Sequence, residues 1–98
     1  MDRITFTASL GSGNPPALSH ALRALWHDAN GDWGAAHEEA QAQEDQAGAW
    51  VHAYLHRKEG DADNAAYWYH RAGKPICITT LQAEWASILE ALLAETLD

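Results

Sequence analysis

Apolar residues recur along the middle of the chain with the period of an α-helix. Leu18, Leu22, Leu25 and Ala29 follow one another at spacings of four, three and four, which lines them on one helical face. Asn30-Gly31-Asp32 interrupts that run, and Asp32 is placed to cap a second helix whose Trp33, Ala36, His37 and Ala40 share a face. A third stripe comprises Ala47, Trp50, Val51, Tyr54 and Leu55 and stops at Glu59-Gly60-Asp61. A fourth carries Ala62, Ala65, Ala66, Tyr69 and Ala72 up to Gly73-Lys74-Pro75, where glycine followed by proline ends a helix. The last stripe contains Leu81, Trp85, Ile88, Leu89, Leu92 and Thr96, and Thr79 with Gln82 makes a capping-box pattern before it. Glu84, Glu90 and Glu95 occupy the other side of this helix and predict an acidic, solvated face.

Residues 1–16 form a lead-in of different character. Ile4-Thr5-Phe6-Thr7 alternates like a short strand with no partner, Gly11-Ser12-Gly13 is a joint, and Asn14-Pro15-Pro16 supplies a helix start. The expected fold is all-α, one domain over residues 1–98, with about five helices. Two helical hairpins occupy residues 17–75, and an amphipathic C-terminal helix over 79–97 closes them. The hairpins repeat: an offset of 29 residues maps Gly31-Asp32 onto Gly60-Asp61, Ala24 onto Ala53, His27 onto His56 and Ala36 onto Ala65.

The run Gly60-Asp61-Ala62-Asp63-Asn64-Ala65-Ala66-Tyr67-Trp68-Tyr69-His70-Arg71-Ala72 resembles the second helix of a tetratricopeptide or Sel1-like repeat. Gly60 stands at the turn, Ala65 and Ala72 at the small packing positions, Tyr69 at the aromatic, and Ala53 at the small position of the preceding helix. The resemblance covers residues 17–75, with units shorter than a standard tetratricopeptide repeat and His52 and His56 in place of a leucine and an aromatic. It implies a non-catalytic scaffold that recognises protein or peptide, with Trp50, Tyr54 and Arg57 facing the ligand. Trp50 and Tyr54 also belong to the most apolar stripe. The last helix is therefore expected to pack on Leu22, Leu25, Trp50 and Tyr54 and fill that groove.

Charge narrows the partners. Fourteen acidic against six basic residues give a net charge of −8. No basic stripe is present to neutralise nucleic-acid phosphates, and an anionic membrane surface would repel the chain. The opening residues lack the basic and apolar regions of a secretory signal, and the expected compartment is the cytoplasm. A lone cysteine, Cys77, rules out a multi-cysteine metal site and reads as a small hydrophobe between two isoleucines.

Two groups of residues carry candidate chemistry. His52 and His56 stand one helical turn apart, which suits two ligands of one metal ion such as zinc, and His27, His37 or Glu38 would have to supply a third. The plain alternative is that these histidines are hydrogen-bonded spacers between helices, and His37, beside Trp33, reads as a core histidine with one nitrogen satisfied. With His27, Asp28 and Arg57, the pair defines a candidate pocket. The second group is Tyr67, Trp68, His70 and Arg71, where aromatic rings beside an arginine read as an interface anchor; Tyr69 is expected to point inward and Tyr67 outward. No catalytic triad, phosphate loop or dinucleotide fingerprint is present. The expected function is a protein-interaction or self-association module, a homodimer being one form of it. A small-molecule or metal-binding protein with a His/Trp/Tyr-lined pocket, extending to a small hydrolase, is the alternative.

Overall fold

A computed structural model describes residues 1–95 of the chain. Six α-helices follow one another with no strand among the described residues: α1 Arg3–Ala8, α2 His20–Ala29, α3 Trp33–Ala42, α4 Gln46–Glu59, α5 Ala62–Ala72 and α6 Leu81–Glu95. Thr96 and Leu97, which the sequence pattern assigns to the last helix, lie outside the described residues.

Each helix begins where a short polar side chain can satisfy an orphaned amide. The Asp32, Asp45 and Asp61 carboxylates accept from the amides of Ala35, Gly48 and Asn64, and Asp2 and Ser19 do the same for α1 and α2. Each such cap is worth about 1 kcal/mol. Ser19 thus moves the start of α2 to His20, past the expected Asn14-Pro15-Pro16 signal. The cap of α6 is Thr80, whose hydroxyl accepts from the Ala83 amide at 3.1 Å, one residue beyond the expected Thr79.

The Gly-Asp turns after α2 and α4 have matching geometry. Gly31 and Gly60 have φ of 82° and 90°, a region open to glycine without steric cost. The amides of Asp32 and Asp61 donate to the carbonyls of His27 and His56 at 3.0 and 2.9 Å. Ala24, Ala53 and Ala36 are fully buried and Ala65 nearly so, because α2 packs on α3 and α4 on α5 through these small residues. Between α3 and α4 the chain turns so tightly that a Cβ on Gly48 would lie 1.8 Å from the Gln43 carbonyl oxygen. Gln43 reaches across that turn, accepting the Ala21 amide at 2.8 Å and donating to Asp45.

Helix α6 packs on α2 and α4. Ile88, Leu89, Leu92 and Leu93 join Leu22, Leu25, Val51, Tyr54 and Leu55 in one core, with Trp50, Leu81 and Trp85 at its margin. The Trp85 indole donates to the Leu25 carbonyl at 3.1 Å. Burying each of the larger side chains contributes on the order of 1.5–3 kcal/mol.

Two further expectations are corrected. Residues 4–7 are helical: α1 lies against α6, Phe6 is fully buried with its ring 6.2 Å from that of Trp85, and Ile4 faces solvent. Four alternating residues carry too little periodicity to separate a strand from a single helical turn, and the Asp2 cap decides it. Glu84 is not part of a solvated face. It is buried, and its carboxylate accepts from Arg57 at 2.8 Å and from the Tyr69 hydroxyl at 2.5 Å, tying α6 to α4 and α5. Among the described residues no helix is long and apolar enough to cross a membrane.

Candidate functional site: a three-histidine cluster

Packing of α3 against α4 carries His37 to the pair that helical spacing already places together. His37, His52 and His56 each offer a ring nitrogen, and these three atoms lie within 4.8 Å of one another. The Nε2 atoms of His37 and His52 are 3.0 Å apart. Ligands of a tetrahedral zinc, bound at about 2.0–2.1 Å, stand roughly 3.3 Å apart. The His37–His52 pair is near that spacing, whereas the His52 and His56 rings stack at 4.8 Å between centroids and 24°, and would have to turn out of that stack to share one ion. His52 and His56 are buried and His37 is half-buried.

Aromatic rings hold the imidazoles in place. Trp33 stacks on His37 at 4.9 Å, its own position fixed by an indole hydrogen bond of 2.9 Å to the Leu55 carbonyl. Trp68 stacks on His52 at 3.9 Å and an interplanar angle of 18°. His56 is oriented by Glu59, whose carboxylate lies 2.6 Å from Nδ1 one turn along α4. Engaging Nδ1 as a donor leaves Nε2 with the lone pair, the arrangement by which carboxylates orient metal-ligating histidines.

Electrostatics favour the neutral form of two of the three rings. Burial, followed by the neighbouring His37 and His56, pushes His52 down to about 4. Burial and His56 also lower His37, against an opposing pull from Glu59 and Glu38. Neutral imidazole is the form that binds a metal ion. Three polar rings sequestered in a small domain do not maximise stability, since apolar side chains would fill the same space without desolvating polar nitrogens.

Beside the cluster opens a cavity of about 430 Å³ with His52, Trp68, Arg71, Gln43, Glu44 and Asp45 in its wall. The Arg71 guanidinium lies over the Trp68 ring at 5.1 Å and donates to the Tyr67 hydroxyl at 3.1 Å.

Other sequence candidates lie elsewhere. His27 is not part of the cluster: its Nε2 is 3.8 Å from Glu39, a carboxylate that also meets His20 and Arg23 at 2.8 Å. Asp28 is buried and accepts from the Tyr54 hydroxyl and from Lys58, both at 2.8 Å. Burial and this carboxylate push the Tyr54 phenol up. Arg57 pairs with Glu84 and donates to the Thr79 carbonyl, so both residues knit helices together. Glu38 is exposed and outside the cluster. Tyr67, His70 and Arg71 are exposed, whereas Trp68 is half-buried against His52; Tyr69 points inward as expected. Cys77 is half-buried, packed beside Ala53, Ala65 and Tyr69.

Trp33 and Glu59 were not singled out as site residues from the sequence. Glu59 had a detectable signal, standing three residues after His56 on the same helical face. Trp33 required knowledge of which helices pack together. No protein-family model, curated protein or solved structure matches this chain.

Proposed function

We propose that this chain is a metal-binding protein that holds one divalent transition-metal ion through His37, His52 and His56. The observation that carries the reading is the convergence of three imidazole nitrogens within 4.8 Å from two different helices. An all-imidazole donor set suits zinc, copper, nickel or iron, and disfavours magnesium and calcium, which take oxygen. Glu59 orients His56, and Trp33 and Trp68 fix the other two rings. Three protein ligands leave a four-coordinate ion one open position, the form in which such a site can bind or activate a small molecule.

Because Trp33 and Trp68 stack on two of the proposed ligands, nickel bound there should quench tryptophan emission. The expected titration saturates at one equivalent, and His37→Ala or His52→Asn abolishes it with helicity retained. Absence of saturable quenching, or quenching that survives both substitutions, overturns the reading.

A second reading, a protein-interaction module, rests on exposed apolar side chains. Tyr67, Ile76 and Ile78 are 53%, 62% and 92% exposed. The matching Gly-Asp turns support a duplicated, tetratricopeptide-like hairpin as its scaffold. For self-association, light scattering should give a dimer that Ile78→Asp converts to monomer; a monomer in both proteins contradicts it.

A further inference from the structure

Four arginines are present, and the described structure gives three of them a carboxylate. Arg3 pairs with Glu90, Arg23 with Glu39 and Arg57 with Glu84. Among the described residues Arg71 is the one arginine in no ion pair, in a chain where acidic residues outnumber basic ones by fourteen to six. Its position adds to the anomaly, because it lines the same cavity as His52. One of its donors is used by the Tyr67 hydroxyl. A guanidinium presents five N–H donors in a planar fork that matches a carboxylate.

We infer that the cavity walled by Arg71 and, of the three histidines, by His52 binds a small organic monocarboxylate, its carboxylate held by Arg71 and its opposite end reaching toward the metal ion on the His52 side. This rests on the metal-binding reading above. The wall contains Glu44 and Asp45 as well as Arg71. A single negative charge is therefore favoured over a dianion such as a phosphate monoester, which the two carboxylates would repel more strongly. The Asp45 carboxylate is already engaged by the Gly48 amide and by Gln43. A cavity of about 430 Å³ is large enough for a ligand of several carbon atoms. His52 and Arg71 both lie close to Trp68, His52 stacked on its ring and the Arg71 guanidinium over it at 5.1 Å.

The test uses the full chain loaded with cobalt, whose thiolate adducts absorb in the near ultraviolet, and thiols that bind the metal with or without a carboxylate. The acids 3-mercaptopropionate and 6-mercaptohexanoate are titrated against 2-mercaptoethanol and 6-mercaptohexanol. At least one acid should bind tenfold or more tightly than its alcohol, and Arg71→Gln should remove that preference while cobalt loading stays unchanged. Equal affinity for acid and alcohol at both lengths, or a preference that survives Arg71→Gln, overturns the carboxylate site and leaves the metal site standing. Failure of the wild-type chain to take up cobalt overturns the metal site and the carboxylate site with it.

Discussion

The Nε2 atoms of His37 and His52 face each other at 3.0 Å across the packing of α3 on α4. Two neutral imidazoles at that distance can make a hydrogen bond only if one donates and the other accepts, which forces opposite tautomers on chemically similar neighbours. A metal ion removes the constraint, since both nitrogens then present lone pairs to it. His56 is already set for that role by Glu59.

The Glu59 contact gives the first prediction. Glu59→Gln retains a hydrogen-bonding group but removes the carboxylate that accepts from His56 Nδ1. Metal affinity should fall by about 10- to 100-fold, as for other losses of an orienting partner. Thermal stability without metal should change little, because Glu59 is exposed. Competition against a chromogenic chelator reads the first quantity and a melting curve the second.

Acid should destabilise the metal-free fold through the same cluster. His52 is held near 4 in the folded chain, against 6.5 for an unperturbed histidine. The unfolded state therefore binds a proton that the folded state excludes as pH falls below about 6.5, and folding loses stability down to about pH 4. Below that both states are protonated and the loss levels off. Denaturant melts with chelator present at pH 7.5, 6 and 5 should show this decline, and His52→Phe should flatten it.

Much of this site was legible in the chain, and the missing parts share a cause. His52 and His56 stand out because their i, i+4 spacing is local to one helix. His37 is contributed by another helix. Beside Trp33 its local pattern is that of a packed core residue, and only the tight α3–α4 turn turns it toward His52. Glu84 fails for a similar reason: a helical wheel places its charge opposite the leucines but cannot show that Arg57 and Tyr69 meet it there. The helical turn at residues 3–8 was hidden because four residues alternate by chance. The turn positions, the inward Tyr69 and the closure by α6 were readable because glycine, aspartate and apolar spacing act locally.

Glu84 yields a stability prediction. Removing this buried carboxylate by Glu84→Ala leaves the Tyr69 hydroxyl and the Arg57 guanidinium without their acceptor. The expected cost is about 3 kcal/mol, the range for breaking a buried pair from one side. Urea melts of Glu84→Ala check it, and a loss below about 1 kcal/mol would place the carboxylate among surface pairs.

Gly48 is required by space. In Gly48→Ala the new methyl group meets the Gln43 carbonyl oxygen, and backbone must move to admit it. The expected destabilisation is about 3 kcal/mol or more, a fall in Tm of at least about 10 °C for a domain of this size. Because that turn also positions α3 on α4, metal affinity should fall with it. An unshifted melting temperature would contradict the tightness of the turn.

The most direct test of the central claim is elemental analysis of the untagged chain after exposure to zinc and exhaustive dialysis. The account predicts one zinc per chain, falling to none in a chain carrying His37→Ala and His52→Asn together, with His20, His27 and His70 untouched. No retained zinc, or one zinc retained by the double variant, would show that the three imidazoles are packing residues and not a metal site.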